Sequence, residues 1–373
     1  MPFVKLLSSA TEMSGLLKEL PVALNGKAGW PWAEETAREV YKARSSWPRI
    51  SIVTPSFNQA AFLEETIRSI LLQNYPNLQY IVIDGGSTDG TVKILEKYSP
   101  WIDYWVSERD RGQSHAINKG LDRCDGEWFN WINSDDCLLP AGLAAIGRAV
   151  QQGVIISAAE LTGANLQNSR PLGRTRIGPT LEDTIVQHYI CQQGLFVRRD
   201  EVRGLGGVRE DLHYVMDLDL LIRLLLRHGL ESVTEVPAEV AFFRWHDQAK
   251  SSIAMDRFVD EERGLFQAVG LALSLNPQLL QRIGGSLLKG AGMSEVTRLD
   301  PARMSRLLAG RFWWNGSVER AWQLRDFATF KREIRGYLQV FPDERTGRVA
   351  KLRCMSYLPH TMLQLLSAFR TNG

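Results

Sequence analysis

Short apolar, β-branched runs alternate with amphipathic stretches from residue 49 to about residue 158. Five runs are predicted to be strands, at 50–54, 80–84, 104–106, 128–132 and 154–157. After the first run, apolar residues recur at helical spacing and predict a helix over 59–73, with further helices at 112–124 and 140–151. This alternation predicts an α/β fold in which helices flank a mostly parallel central sheet.

The two ends of the chain depart from this pattern. Residues 1–48 show weak helical patterning up to Trp47, before a proline that should stop any helix. Beyond about residue 255 the sequence becomes helical and poor in strands. One face of a helix there is kept apolar by Phe327, Phe330, Ile334 and Leu338. We therefore expect an N-terminal extension (1–48), a main α/β domain (49–255) and a C-terminal helical appendage (256–373).

Composition narrows the class of protein. The 373 residues, 44% of them hydrophobic, suffice for one large core with an appendage. The four cysteines form no C-x-x-C pair and are expected to be reduced thiols, mostly buried. The N-terminal residues lack the pattern of a signal peptide, and no stretch reaches the roughly 18 apolar residues that span a bilayer. We therefore expect a cytoplasmic protein.

Positive charge is concentrated near the C-terminal end. Residues 301–373 hold 13 Lys and Arg against 5 Asp and Glu, a net charge of +8, whereas the preceding 300 residues carry −6. Two interpretations stay open, a solvated helical face or a surface for anionic membrane or a phosphate-bearing lipid. Nucleic acid is not favoured, because the first half is acidic and no helix-turn-helix, zinc-finger or RNA-binding signature is present.

Polar residues follow three of the predicted strands directly. They are ThrProSerPheAsn at 54–58, AspGlyGlySerThrAspGly at 84–90 and AsnSerAspAsp at 133–136. In open α/β sheets, ligands bind at the carboxyl ends of the strands. Carboxylates gathered there repel one another unless a cation compensates them, which points to Mg²⁺ or Mn²⁺ with a phosphorylated ligand. Alternatively, 84–90 is a turn in which Thr88 or Asp89 caps a helix starting near Thr91, and Asp135-Asp136 is an ordinary loop.

The ordered series of motifs resembles the family 2 glycosyltransferases, which have the A-type glycosyltransferase fold. Besides the three strand ends, the series includes SerGluArgAspArgGly at 107–112 and MetAspLeuAspLeu at 216–220, and it covers roughly 49–250. The resemblance implies an inverting enzyme that moves a sugar from a UDP-, dTDP- or GDP-linked donor to a saccharide or lipid-linked acceptor. It also implies Mn²⁺ or Mg²⁺ as cofactor and a place in surface polysaccharide or glycolipid synthesis.

The resemblance further implies roles for single residues. Those implied to bind the nucleotide sugar are Thr54, Pro55, Ser56, Asp84, Gly85, Ser87, Arg111, Asn118, Asn133, Ser134 and Asp135. Those implied to hold the metal are Asp135, Asp136 and His246. Asn133 replaces the first aspartate of the family's Asp-x-Asp motif, so Asp135, with Asp136, must carry its contacts. Asp217 is implied as the general base, whereas the structural alternative is that Asp217 and Asp219 only cap the following helix.

Two other classes of protein stay open. A sugar nucleotidyltransferase also uses an α/β fold with a carboxylate-held metal, but it should carry a glycine-rich loop with Arg and Lys near the first strand. ThrProSerPheAsnGln at 54–59 contains neither glycine nor a basic residue. A non-catalytic nucleotide-sugar-binding protein would explain Asn133, but the chain keeps Asp135, Asp136 and Asp217.

Overall fold

Nine strands form one mixed sheet in the computed structural model of the chain, which describes residues 15–22, 27–150, 153–286, 288, 295–344, 347–359 and 362–364. In chain order the strands are β1 (Ile50–Ser56), β2 (Leu78–Asp84), β3 (Tyr104–Ser107), β4 (Trp128–Trp131), β5 (Cys137–Leu138), β6 (Ile155–Gly163), β7 (Arg170–Gly173), β8 (Leu195–Arg198) and β9 (Val233–Arg244). Across the sheet they run β3-β2-β1-β4-β8-β6-β9-β5, with β7 paired to β6.

The sheet has a parallel part and a mixed part. β3, β2, β1 and β4 are parallel neighbours. Beyond β4, β8 is antiparallel to both of its neighbours, β5 is antiparallel to β9 and β7 to β6, while β6 and β9 are parallel. The predicted α/β fold is confirmed, and all five predicted strands are present. The parallel pairing predicted for most of the sheet is found in its first four strands, and the rest is mixed.

Helices alternate with the strands in the first part of the chain and dominate its last third. They are α1 (Leu63–Leu71), α2 (Thr91–Tyr98), α3 (Gln113–Arg123), α4 (Gly142–Ala149), α5 (Leu181–Val186), α6 (Arg199–Gly204), α7 (Met216–His228), α8 (Lys250–Ile253), α9 (Met255–Ala272), α10 (Pro277–Ile283), α11 (Pro301–Leu308), α12 (Arg320–Gln323), α13 (Phe327–Val340) and α14 (Gly347–Ser356). A π-helical segment, Ala309–Glu319, joins α11 to α12. The helices predicted at 59–73, 112–124 and 140–151 correspond to α1, α3 and α4; residue 151 lies outside the described residues.

Two units make up the chain. The first contains the residues up to 177 together with 188–255, and the second contains 178–187 together with 256–373. In the first unit, α1 covers the sheet with Leu63, Ile67 and Ile70, each fully buried. Full burial of such a side chain contributes about 1.5–3 kcal/mol to stability. The apolar residues whose spacing predicted this helix are therefore also those that pack it against the sheet.

The segment before β1 completes the core of the first unit. Trp30, Tyr41 and Trp47 are buried in the same hydrophobic cluster as the sheet residues. Arg68 of α1 is 1% exposed, and its guanidinium donates to backbone carbonyls of this segment, including that of Pro31 at 2.9 Å. These acceptors compensate the burial of the charge. Residues 1–14 of the predicted extension lie outside the described residues.

The second unit is helical in the residues described. On α13, Phe327, Phe330 and Ile334 are buried as the sequence predicts. Tyr337 is also buried, whereas Leu338 is half-buried, so the apolar face follows the i+3 rather than the i+4 position at its end. The indole of Trp313 packs edge-on against Tyr337, with ring centroids 5.7 Å apart.

Two further features bear on the predictions from composition. All four cysteines are free thiols, three of them buried and Cys354 exposed. Within the described residues, none of the helices has the length and apolar character needed to cross a membrane.

Candidate active site

A buried carboxylate organises the loop that follows β2. Asp84 is fully buried, and its Oδ2 accepts from the N–H of Gly86 at 3.2 Å, the N–H of Ser87 at 2.9 Å and the hydroxyl of Ser107 at 2.6 Å. Its Oδ1 accepts from the hydroxyl of Ser87. Four donors therefore compensate the burial of this carboxylate. Asp84 and Ser87, both predicted to bind the donor, shape the loop after β2 through these bonds.

The loops after β1, β2 and β3 meet at Gly85. Its N–H donates to the carbonyl of Ser56 at 2.8 Å. A Cβ atom on Gly85 would lie 2.9 Å from Oδ2 of Asp110, so a side chain at position 85 would displace the Asp110 carboxylate. The hydroxyl of Ser56 is buried and has no hydrogen-bond partner among the described residues. A buried polar atom of this kind suits a ligand that supplies the missing bond.

Thr54 and Pro55 lie just before this junction, in the buried end of β1. The Thr54 hydroxyl accepts from the hydroxyl of Tyr80 at 3.2 Å. Pro55 lies opposite Ile83 of β2, past Val53, where the pairing of β1 with β4 ends. Its missing N–H therefore breaks no ladder bond to β4.

Residues 84–90 also bind the loop after β1 and lead into α2. Asp89 Oδ1 accepts from the N–H of Thr91 at 3.0 Å, and its Oδ2 accepts from the N–H of Ala60 at 2.9 Å. Asn58 Oδ1 accepts from the N–H of Thr88 at 2.9 Å. The N-cap of α2 is Gly90 rather than Thr88 or Asp89, and it makes no side-chain cap bond. The same residues thus hold two of the strand-end loops together.

Arg111 and Asn118 both bind the loop that precedes α7. The Arg111 guanidinium, 67% exposed, forms an ion pair with Glu210 at 2.5 Å. Asn118 donates from Nδ2 to the carbonyl of Val208 at 2.7 Å and to Glu210 at 3.2 Å. Its Oδ1 accepts from the N–H of Val208 at 2.9 Å. Glu210, their shared partner, was missed in the sequence, and the donor contacts of Arg111 and Asn118 stay predictions.

The loop after β4 brings Asp135 and His246 together. Oδ2 of Asp135 lies 3.0 Å from Nε2 of His246, whose ring packs on Phe62 with centroids 4.7 Å apart. The carbonyl of Asp135 accepts from Nε of the buried Arg244 at 2.8 Å. Ser134 is buried, and its carbonyl accepts from a hydroxyl of α1. Two of the three predicted metal ligands are therefore in contact.

Asp136, the third predicted ligand, is bound by protein donors. Its Oδ1 accepts from the N–H of Arg244 at 2.9 Å, and its Oδ2 accepts from Gln193 at 2.6 Å and from Asn133 at 3.1 Å. Burial, followed by the charge of Asp135, raises the pKa of Asp136. The sequence analysis missed Gln193. The signal that could have indicated it is the pair of glutamines at 192–193, directly before an apolar strand.

The fit of a metal ion to this loop can be judged from these contacts. In the described part of the chain, no three His, Cys, Asp or Glu side chains are grouped so that they could hold a metal ion. Asp136 accepts from three protein donors, whereas Asp135 and His246 are in contact with each other. Mg²⁺ is commonly held by only one or two carboxylates, with water and substrate phosphates completing its shell. Asp135 with His246 fits that kind of site.

Asn133 is linked to Lys250 through a glutamine. Lys250 Nζ donates to Oε1 of Gln113 at 2.7 Å, and Nε2 of Gln113 donates to Oδ1 of Asn133 at 2.7 Å. The Asn133 amide thus accepts from Gln113 through Oδ1 and donates to Asp136 through Nδ2. An aspartate at position 133 could not donate to Asp136, so the departure from the Asp-x-Asp pattern fits the surroundings.

Asp217 and Asp219 lie in the first turn of α7 in different surroundings. Asp217 is half-buried, and its Oδ1 accepts from the N–H of Leu218 at 2.9 Å. No basic side chain among the described residues forms an ion pair with it, and burial raises its pKa to about 6. Asp219 is fully buried and pairs with the Arg223 guanidinium at 2.7 Å. The arrangement leaves Asp217 available for proton transfer and ties Asp219 to its own helix.

Glu160 of β6 is a further carboxylate of this region that the sequence analysis missed. It is 1% exposed, its Oε1 accepts from the N–H of Gly194 at 2.6 Å, and its Oε2 has no hydrogen-bond partner among the described residues. Burial is the main cause that raises its pKa, to about 8. The available signal was a lone acidic residue within an apolar stretch, just beyond the strand predicted at 154–157.

Comparisons with known sequences find relatives among the glycosyltransferases. The profile of a family described as Glycosyl transferase family 2 matches residues 51–200. An uncharacterized glycosyltransferase of Mycobacterium tuberculosis (strain CDC 1551 / Oshkosh) is 30% identical over 191 residues, which are 49% of this chain and 71% of the relative. The GalNAc(5)-diNAcBac-PP-undecaprenol beta-1,3-glucosyltransferase of Campylobacter jejuni is 33% identical over 110 residues, 28% of this chain and 36% of the relative.

A solved structure shows the same fold. Staphylococcus aureus TarS 1-349 in complex with UDP-GlcNAc matches with a TM-score of 0.53 and 17% sequence identity, covering 82% of this chain and 83% of that chain. At this identity the likeness concerns the fold alone. It confirms the predicted α/β fold with its C-terminal helical region.

Proposed function

The chain belongs to glycosyl transferase family 2 and is a glycosyltransferase, and on that premise we propose that it is an inverting enzyme that uses a nucleoside-diphosphate sugar. The observation that carries the proposal is the contrast within the first turn of α7. Asp217 has a raised pKa of about 6 and no basic partner among the described residues, as a general base requires. Asp219, two residues on, is held by Arg223.

The proposed reaction is a single displacement at the anomeric carbon of the donor. Asp217 takes the proton of the acceptor hydroxyl while that oxygen forms a bond to the anomeric carbon. The bond from that carbon to the diphosphate oxygen breaks in the same step, and the nucleoside diphosphate leaves. Attack opposite the leaving group inverts the configuration, and no covalent enzyme intermediate forms.

Donor binding is proposed to use the strand ends of the first unit. The unpartnered hydroxyl of Ser56 and the loop shaped by Asp84 support a nucleotide site there. Asp135 and His246 would hold a Mn²⁺ or Mg²⁺ ion together with the diphosphate. Such an ion, when bound, supplies positive charge that stabilises the departing diphosphate. Lys250, held by Gln113, is a second cation proposed for the diphosphate.

The acceptor is proposed to be a saccharide or a lipid-linked saccharide, in the synthesis of a surface polysaccharide or glycolipid. The Campylobacter jejuni relative supports this, because its name describes transfer to a glycan on PP-undecaprenol. A lipid-linked acceptor would bring the enzyme to the cytoplasmic face of a membrane. Exposed basic and apolar side chains of the second unit support that location.

Exposed cations and apolar side chains occur together in the second unit. Arg320, Arg325 and Arg335 are exposed, as are Leu324 (70%) and Tyr357 (71%). Near an anionic membrane each cation contributes about 1 kcal/mol, which salt weakens. We expect the purified protein to sediment with vesicles containing anionic lipid at low ionic strength, and Arg320→Glu with Arg325→Glu to weaken this. Equal binding to neutral vesicles would contradict an electrostatic contact.

The enzymatic proposal is tested with a panel of UDP-, dTDP- and GDP-sugars in the presence of Mn²⁺. One donor should release its nucleoside diphosphate slowly, and faster once a suitable acceptor is added. Proton NMR of the first-formed product should show the opposite anomeric configuration to the donor. Retention would overturn the inverting mechanism. Pyrophosphate release from a nucleoside triphosphate would instead identify a nucleotidyltransferase, and absence of any turnover a non-catalytic binding protein.

A further inference from the structure

Glu160 is a buried carboxylate to which the proposed mechanism gives no task. The side chain projects from β6 and is 1% exposed. Oε1 accepts one backbone N–H, that of Gly194, and Oε2 has no partner in the part of the chain described. Buried polar atoms in native proteins almost always have hydrogen-bond partners, so an orphan calls for an explanation.

The neighbours of Glu160 place it beside the loop that carries Asp135 and Asp136. Glu160 lies opposite Ala241 of β9, and Ala241 lies opposite Leu138 of β5, the strand that directly follows this loop. The turn at 192–194 makes the same connection through hydrogen bonds. Gly194 donates its N–H to Glu160, and the adjacent Gln193 donates from its side chain to Asp136 at 2.6 Å.

The turn also fixes the position of the Glu160 side chain. A Cβ atom on Gly194 would lie 2.5 Å from the carbonyl of Ala158 and 3.3 Å from Oε1 of Glu160. The absence of a side chain at position 194 therefore allows the turn to lie directly on β6. A carboxylate held in this way is positioned before any ligand arrives, as precise recognition of a ligand requires.

A single displacement puts the attacking oxygen, the anomeric carbon and the leaving oxygen in one line. The attacking oxygen lies at Asp217 and the diphosphate at the loop that carries Asp135. Glu160 is linked through the turn at 192–194 to that loop, beside which the sugar is joined to the diphosphate. We propose that Glu160 contacts this sugar, with Oε2 forming a hydrogen bond to one of its hydroxyls, and that it thereby helps to select the donor sugar. This inference rests on the proposed function.

The experiment compares Glu160→Ala with the matched variant Glu182→Ala. Glu182 is also a buried glutamate whose Oε1 accepts a backbone N–H, that of Asp300 at 2.7 Å, but it belongs to the second unit. The alanine at position 160 removes Oε2, whereas the amide of a glutamine could still donate to a sugar hydroxyl. Affinities are measured by calorimetry with Mn²⁺ for three pairs of probes: UDP and UDP-GlcNAc, dTDP and dTDP-glucose, and GDP and GDP-mannose.

For the pair that the wild type binds, Glu160→Ala should keep its affinity for the nucleoside diphosphate. Its affinity for the sugar nucleotide should fall by about tenfold or more, as expected for the loss of one buried hydrogen bond. Glu182→Ala should change neither affinity. Equal losses for both members of the pair, or no loss for either, would overturn the inference.

Two further outcomes are distinguished from these. If the wild type binds and hydrolyses none of the sugar nucleotides, the proposed function itself fails. If Glu160→Ala does not fold, as judged by a missing cooperative thermal transition, Glu160→Asp is measured in its place, with the same selective loss expected because its carboxyl group is one methylene shorter. Should both variants fail to fold, Glu160 has a structural role and the inference is overturned.

Discussion

Asp84 and Asp217 are both held within the first unit, but their surroundings differ. Asp84 accepts four hydrogen bonds from the loops after β2 and β3, so its carboxylate is used to shape the backbone. Asp217 accepts one bond from the neighbouring N–H in its own helix, and burial raises its pKa to about 6. A carboxylate rich in donors thus organises a loop, whereas one poor in donors is ready to exchange a proton.

The comparison extends to the other carboxylates of the first unit. Asp136, with three donors, belongs with Asp84. Asp219 does too, because two guanidinium groups face it, those of Arg223 at 2.7 Å and Arg209 at 3.7 Å, although its Oδ1 has no hydrogen-bond partner among the described residues. Glu160 has an unpartnered Oε2 and no basic neighbour among those residues, so it belongs with Asp217. The first group should respond to substitution mainly through stability, and the second mainly through rate or ligand affinity.

The largest effect is expected for Asp217→Asn. The amide is nearly isosteric but cannot accept a proton, so kcat at saturating donor should fall by about 10²–10⁴-fold, with donor affinity and thermal stability unchanged. Asp219→Asn is the matched control. It weakens a buried ion pair and should lower the free energy of unfolding by about 1–3 kcal/mol with a smaller loss of kcat. If Asp217→Asn transferred sugar at nearly the wild-type rate while Asp219→Asn was folded but inactive, Asp219 rather than Asp217 would be the general base.

Removal of divalent metal is expected to have the next largest effect. Excess chelator should lower turnover by about 10²-fold or more, because the charge on the diphosphate is then uncompensated, and Mn²⁺ or Mg²⁺ should restore it. Asp135→Asn should raise the metal concentration needed for half-maximal activity. Asp136→Asn should chiefly lower the melting temperature, since its carboxylate serves protein donors. Full activity in chelator would remove the metal from the proposal.

A smaller change is expected for Asp84→Asn. The amide cannot accept all four bonds, and the variant should lose about 1–3 kcal/mol of the free energy of unfolding. The loosened loop should raise KM for the donor by about tenfold, with kcat at saturating donor close to that of the wild type. A loss of kcat as large as that of Asp217→Asn would show that Asp84 belongs with the reacting groups.

The sequence predicts those features whose signals lie within one short stretch of the chain. The strands β1 and β2 and the helix α1 were predicted because their apolar periodicity is local. β9 was missed because Pro237 and the acidic residues on either side of it interrupt the apolar pattern. The sequence places Asp217 and Asp219 in one helical turn, but it does not show that Arg223 pairs with only one of them. The sequence analysis missed Glu160 because the strand that carries it was predicted to end at residue 157.

The smallest expected effect concerns pH. Because burial raises the pKa of Asp217 to about 6, this carboxylate is charged above pH 6 and becomes protonated below it. As a base it acts only in the charged form, so kcat/KM, which reports groups of the free enzyme, should be constant from neutral pH upward, about halved near pH 6 and lower by about tenfold for each further pH unit. The residual turnover of Asp217→Asn should lack this dependence. If the fall in rate at acidic pH persisted in Asp217→Asn, a different titrating side chain would be its cause.

The two-residue spacing of Asp217 and Asp219 constrains how this part of the chain can vary in length. Side chains two apart on an α-helix are separated by about 200° around its axis, so one turn directs one aspartate toward the proposed reaction and the other toward Arg223. Inserting or deleting one residue within that turn would rotate one aspartate by about 100° relative to the other. The segment at 204–207, upstream of α7, is itself bound to the helix, because the carbonyls of Leu205 and Gly207 accept from the guanidinium of Arg223. In this region, evolutionary change should therefore appear as substitutions rather than as changes of length.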